Sequence, residues 1–193
     1  MFKRALIKYY ILKNKILFNR KRVSHGINLM VMGPIELLVR GDLKIGSDFN
    51  LISGIMMNAL GRNLKSSIRV DNDAQIIIGN NVGMSCVSIW SKEKIVIGDN
   101  VKLGANVQVF DSDMHSLNYK LRRNINTDGI NAKSAPIFIE EDVFIGANSI
   151  ITKGIRIGKR SIIATGSVVV KSVPENEIWG GNPARFIKTI SED

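Results

Sequence analysis

The chain holds two histidines, and one of them, His115, closes the run "DSDMH" (111–115) with Asp111 and Asp113 just before it. An imidazole, whose ordinary pKa is about 6.5, is matched to removing a proton from a nucleophile near neutral pH. It works best when its second ring nitrogen donates to a carboxylate or carbonyl. Two residues apart in an extended segment lie on the same side, so either aspartate is within range of that role. Asp113 is assigned it, the competing use of both being to close turns. Cys86, the only cysteine, has no histidine near it in sequence and reads as a small buried filler rather than a nucleophile. Two histidines fall short of a three-histidine zinc set, and no metal is expected.

A base needs rigid support, and the rest of the chain supplies it as a beat of six. Ile139, Ile145, Ile151, Ile157, Ile163 and Val169 follow one another six residues apart. Val143, Ser149, Ile155, Ser161, Ser167 and Val173, four residues after each, are small or β-branched. Ile97, Leu103 and Val109 keep the same beat; Ile78, Met84 and Trp90, and Val39, Ile45, Leu51 and Met57, keep it more loosely. Six is the period of neither an amphipathic helix nor a two-faced sheet. It fits an all-β solenoid in which each hexad makes one short strand and one corner, three hexads close a triangular coil, and stacked coils pair in parallel. Gly, Asn and Asp in "GNN" (79–81), "GDN" (98–100) and "GAN" (104–106 and 146–148) mark the corners, where positive φ or tight turning is needed. Trp90 reads as a core or interface aromatic. The beat predicts a solenoid over residues 31–174, broken by a protruding loop over 111–136, where His115 sits. A loop that long inside a compact domain is functional or disordered.

The ends differ from the middle. Phe2, Leu6, Tyr9, Leu12 and Ile16 step by three or four, which predicts an amphipathic helix within a basic N-terminal segment, residues 1–30. Its first expected use is to cap the open end of the solenoid; a second, compatible use is a foothold on anionic membrane through residues 1–22. Residues 175–193 are expected to form a turn and a basic tail ending in a short helix. The net charge of +10 implies anionic company: nucleic acid, acidic lipid or a phosphorylated cofactor. No nucleic-acid reading motif is present, so no nucleic-acid partner is expected. No stretch approaches the run of about 20 apolar residues that a membrane span needs. The N-terminus lacks the apolar core of a secretory signal, and a lone cysteine suits a reducing compartment. A cytoplasmic protein is expected, touching membrane at most peripherally.

Three segments taken together, "IVIGDNVKLGANVQVFDSDMHSLNYKLRR" (95–123), "PIFIEEDVFIGANSIITKGIRIGKRSIIATGSVVVKSVP" (136–174) and "GGNPARFIK" (180–188), resemble the hexapeptide-repeat acyltransferases. The branch is that of the sugar O-acetyltransferases, which includes galactoside, maltose and surface-polysaccharide acetyltransferases, and the resemblance covers about residues 66 to 190. It implies a left-handed parallel β-helix, a homotrimer with active sites between subunits, and acetyl-CoA as donor. It makes His115 the catalytic base and gives CoA main-chain contacts at Ala147 and Thr165. Lys171 would then lie beside the pantetheine or phosphates, with Arg185 and Lys188 on the phosphates; basic side chains bind such groups through charge-assisted hydrogen bonds. Relatives carry an asparagine near the acceptor where this chain has Cys86, next to Ser85, so those two positions are the candidate acceptor contacts and a departure from the pattern. Arg122 and Arg123 face an acidic sugar, a nucleotide-sugar phosphate or a neighbouring carboxylate; Arg123 is assigned to the acceptor. The function so implied is O-acetylation of a sugar or surface-polysaccharide precursor. N-acylation of an amino sugar or antibiotic, and a noncatalytic solenoid serving as scaffold or membrane-surface binder, are the competing readings.

Overall fold

A residue recurring every six positions returns to the same place after three hexads, and the strands pair accordingly. The structure, a computed structural model, describes residues 2–54, 57–61 and 63–191. Helix α1 (Phe2–Arg20) precedes the coils. The first coil is β1 (Ser24–His25), β2 (Met30–Met32) and β3 (Ile35–Val39); the second is β4 (Asp42–Ile45), β5 (Asn50–Ile52) and β6 (Ser66–Val70). The third is β7 (Gln75–Ile78), β8 (Gly83–Ser85) and β9 (Ser88–Ser91); the fourth is β10 (Lys94–Ile97), β11 (Lys102–Leu103) and β12 (Gln108–Phe110). The fifth is β13 (Ile137–Ile139), β14 (Phe144–Ile145) and β15 (Ile150–Ile151); the sixth is β16 (Arg156–Ile157), β17 (Ile162–Ile163) and β18 (Val168–Val169). Each strand pairs in parallel with the one three further along, so the coils stack into three sheets that form the faces of a triangular prism. The first face holds β1, the second β2 and the third β3, with their successors above them.

The beat is the core. Ile139, Ile145, Ile151, Ile157, Ile163 and Val169 are buried, and so are the six residues four places after them. The buried serines among these hand their protons to carbonyls at the corners: Ser149 Oγ to Ala164 O (3.1 Å) and Ser161 Oγ to Pro174 O (2.6 Å). The corners divide their work in a way the motifs did not reveal. Positive φ falls on Asn81, Asn100, Asn106 and Asn148, whereas Gly104 and Gly146 are needed for proximity. A Cβ on Gly104 would stand 2.6 Å from the Ala147 nitrogen, and one on Gly146 would stand 2.5 Å from the Thr165 nitrogen.

The looser tracts drift. Ile89, five residues after Met84, takes the inward place, with Cys86 supplying the positive φ at the corner. Trp90 therefore points outward rather than into the core, stacked against Arg69 at 4.0 Å and donating to Asp71 (3.1 Å). Met57 is off the wall altogether, because a second excursion, residues 53–65, leaves the corner between β5 and β6. The expected excursion, 111–136, leaves the corner between β12 and β13. It contains two one-turn helices, α2 (Tyr119–Arg122) and α3 (Ile125–Asp128), and a 3₁₀ turn.

Both ends depart from expectation. The coils begin at Ser24, inside the segment assigned to the helical N-terminus. The face of α1 laid on the prism carries Asn14 and Phe18, both buried, flanked by Leu6, Ile7, Tyr10, Ile11 and Leu17, which are half-buried. Asn14 Nδ2 donates to Val31 O (2.9 Å) and Gly33 O (2.8 Å), closing the exposed edge of the first coil. Of the stripe expected to make this contact, Leu6 flanks the docked face, whereas Phe2, Tyr9, Leu12 and Ile16 face outward. At the other end no helix forms: β19 (Glu177–Gly181) extends the second face and β20 (Ala184–Thr189) folds back antiparallel on it. A few residues cannot nucleate a stable helix alone, whereas the open sheet edge offers them ready hydrogen-bond partners.

Candidate active site

His115 stands on the 111–136 excursion with 68% of its side chain exposed. The excursion is tied at its neck, where Asp113 N donates to Lys133 O (2.9 Å) and Ala135 N to Asp111 O (2.9 Å). Asn118 and Asn124 cap the two short helices, and Arg122 Nη1 donates to Ser116 O (2.7 Å). These contacts return Asp128, the last residue of α3, to His115. Nδ1 donates to Asp128 Oδ2 at 2.6 Å, and Ser116 N–H donates to Asp128 Oδ1 at 2.8 Å. The hydrogen bond from His115 foremost, then that from Ser116, holds the Asp128 carboxyl below the ordinary carboxylate range. With Nδ1 carrying the proton, the neutral ring presents the Nε2 lone pair, which meets no protein partner among the described residues.

The orienting carboxylate is therefore Asp128 and not Asp113. Asp113 pairs with Lys153 at 2.8 Å. Asp111 is buried and structural, accepting from Ser91 Oγ (2.7 Å), Lys92 N (2.7 Å) and Glu93 N (3.0 Å) in the coil below. Asp128 lies 13 residues from His115 in a segment without periodicity; the only signal toward it was the pair of Asn caps that start one-turn helices.

Ala147 and Thr165 come together at the corner between the second and third faces, in a cleft of about 590 Å³ lined also by Asn106, Asn148 and the 53–65 excursion through Ala59, Leu60 and Leu64. Stacking over Gly104 and Gly146 leaves the main-chain N–H groups of Ala147 and Thr165 outside the ladder; among the described residues neither donates to a carbonyl. An extended polar molecule laid along this corner would meet a column of main-chain donors. Arg185 pairs with Gly180, whose Cβ position would touch Ala164 at 3.0 Å, so it stands at the head of that column. Lys188 lies further along β20, opposite Ile178 and exposed.

Other expected residues are not brought there. Lys171 follows β18 and lies at the corner between the third and first faces, beneath which the 111–136 excursion leaves the wall. Cys86 is buried under the second excursion, where a Cβ on Gly61 would meet its Sγ at 2.1 Å; it is filler and offers no acceptor contact. Ser85 is half-buried and accepts a hydrogen bond from Asn58 Nδ2. Arg123 is exposed and stacks on Tyr119 at 5.1 Å. No residue of the 111–136 excursion lines the cleft: His115 and the cleft stand on different corners of one chain.

Comparison with known proteins bears on this geometry. The family of the hexapeptide repeat of succinyl-transferase matches residues 136–171. A 2,3,4,5-tetrahydropyridine-2,6-dicarboxylate N-acetyltransferase of Clostridium perfringens is 51% identical over 57 residues, 30% of this chain and 24% of that enzyme. The chain thus spans about a quarter of the length of that relative. In solved structures the chain is similar to a mutant of AntD, an N-acyltransferase from Bacillus cereus, in complex with dTDP and coenzyme A (TM-score 0.68, 16% identity, 92% of this chain and 89% of that one). It is also similar to a maltose O-acetyltransferase from Clostridium difficile (TM-score 0.54, 23% identity, 99% and 86%). At these identities the structural likeness is one of fold.

Proposed function

We propose that the chain is an acetyl-CoA-dependent O-acetyltransferase acting on a hydroxyl of a sugar or surface-polysaccharide precursor, a reading supported by the hexapeptide-repeat match over residues 136–171 and by the likeness of its fold to that of acyltransferases. The observation that carries this reading is the His115–Asp128 pair, an imidazole whose Nδ1 meets a carboxylate at 2.6 Å on an exposed excursion. His115 Nε2 takes the proton of the acceptor hydroxyl as its oxygen attacks the thioester carbonyl. The new C–O bond forms, a main-chain N–H stabilises the tetrahedral oxyanion, the C–S bond breaks, and the imidazolium returns the proton to the CoA sulfur. Asp128 keeps Nδ1 protonated and offsets the positive charge on the ring.

CoA is assigned to the corner column, its pantetheine against the N–H groups of Ala147 and Thr165 and its phosphates toward Arg185 and Lys188. Because base and column lie on different corners, the complete site is proposed to form between neighbouring copies of a homotrimer, where Lys171 and Arg123 of one copy approach the column of the next. Such a trimer would work in the cytoplasm, where acetyl-CoA is made. The likeness to an N-acyltransferase places amine acceptors beside hydroxyls in the test. That test is acetyl-CoA turnover with a panel of sugars and amino sugars. His115→Ala is expected to lower turnover by about a hundredfold or more, and Cys86→Ala to leave it near wild type. Equal turnover in the two variants would remove His115 from the mechanism. Calorimetry showing no CoA binding would favour the noncatalytic solenoid.

A further inference from the structure

Helix α1 has two apolar faces, and the prism uses one. The inner face carries Asn14 and Phe18 and is closed. The outer face carries Phe2, Tyr9, Leu12 and Ile16, which step by seven, three and four, all whole turns of a helix to within a fraction of a residue, and are each at least half exposed. Tyr9, Leu12, Lys13, Ile16, Leu17 and Arg20 line a shallow, mostly apolar concavity of about 350 Å³ there. By the helical period, Arg4, Lys8 and Lys15 run along one flank of this stripe and Lys13 and Arg20 along the other. Eight of the 27 Lys and Arg of the chain stand in residues 2–22, which hold no acidic residue, so the rest of the chain carries a net charge of only +2.

We infer that the outer face of α1 lies in the interface of an anionic lipid bilayer. A stripe of aromatic and branched side chains enters the boundary between headgroups and acyl chains while lysines and arginines on both flanks reach the phosphates. The helix lies on the membrane and does not cross it: no helix among the described residues is long and apolar enough to span. A second copy of the chain is the poorer occupant. Face-to-face pairing would bring two all-basic flanks together, and the nearly neutral remainder of the chain offers no opposing charge of matching strength. The inference is independent of the proposed activity.

The experiment is co-sedimentation of the full chain with phosphatidylcholine vesicles, with and without phosphatidylglycerol. The protein is expected to pellet with the mixed vesicles, more weakly as salt rises, and to stay in solution with phosphatidylcholine alone. Leu12→Glu/Ile16→Glu and Lys8→Glu/Lys15→Glu are each expected to cut partitioning by more than about tenfold. All four side chains point away from the prism, so thermal melting should not move. Binding to neither vesicle, equal binding to both, or undiminished binding by Leu12→Glu/Ile16→Glu would overturn the inference. A fall in oligomeric mass on Leu12→Glu/Ile16→Glu would also overturn it and assign the face to contact between copies.

Discussion

At the scale of the residue, two aspartates near one histidine have been told apart by their partners. Asp128 accepts from His115 and Ser116; Asp113 answers Lys153. Under the proposed mechanism, Asp128→Asn is expected to lower kcat by roughly 10- to 100-fold, because the amide no longer favours the Nδ1–H tautomer or offsets the imidazolium. Asp113→Asn should leave kcat within about threefold and cost about 1 kcal/mol of stability, as for a partly exposed ion pair. Steady-state kinetics on the two variants check this. The sign of the pH effect follows from the direction of the Asp128 shift. Its folded pKa lies below the unfolded value, so its hold on the excursion is complete above the ordinary carboxylate range and fails as pH falls through the lowered value. Hydrogen exchange across residues 116–131 should accelerate in that acid window and, in Asp128→Asn, be fast already at neutral pH.

At the scale of the element, α1 shows how a helix can close a solenoid without its most apolar stripe. A terminal coil presents bare carbonyls as well as apolar side chains, so a side chain with two donors suits it. Asn14 supplies them to Val31 O and Gly33 O while Phe18 enters the core. Asn14→Ala leaves two buried carbonyls without those partners and is expected to cost about 1–3 kcal/mol. Phe18→Ala is expected to cost about 3–5 kcal/mol through lost burial and the cavity left behind. Leu12→Ala, on the outer face, should cost well under 1 kcal/mol. Urea unfolding of the three variants ranks them; an equal loss for Leu12→Ala and Phe18→Ala would mean that the helix is docked on its other face.

At the scale of the whole molecule, His115 and the cleft occupy different corners of one prism. The column of main-chain donors runs up the corner between the second and third faces; His115 leaves from the corner beyond the third. A site completed between copies predicts complementation. Ala147→Trp, which fills the cleft, and His115→Ala, which removes the base, should each be nearly inactive alone. Co-assembled chains should recover turnover, because one interface in a mixed trimer pairs an intact cleft with an intact base. Light scattering should give three times the chain mass, and mixing without recovery would place the site within a single chain.

The beat of six was legible throughout residues 139–173, since an inward residue repeated at fixed spacing leaves a coil no choice but to stack on its neighbour. The same rule located the break at 111–136 and His115 within it. It weakened where a corner lost a residue before Ile89 and where an excursion carried Met57 off the wall, because a local insertion or deletion shifts phase without leaving a composition signal. Partnership was the part that sequence could not rank. Asp113 is two residues from His115 and Asp128 is thirteen, yet hydrogen bonding depends on where a folded excursion returns, not on distance along the chain. The outward turn of Phe2, Tyr9, Leu12 and Ile16 belongs to the same class: a helix with two apolar faces does not say which one docks, and the bare carbonyls at the end of the prism chose the face bearing Asn14.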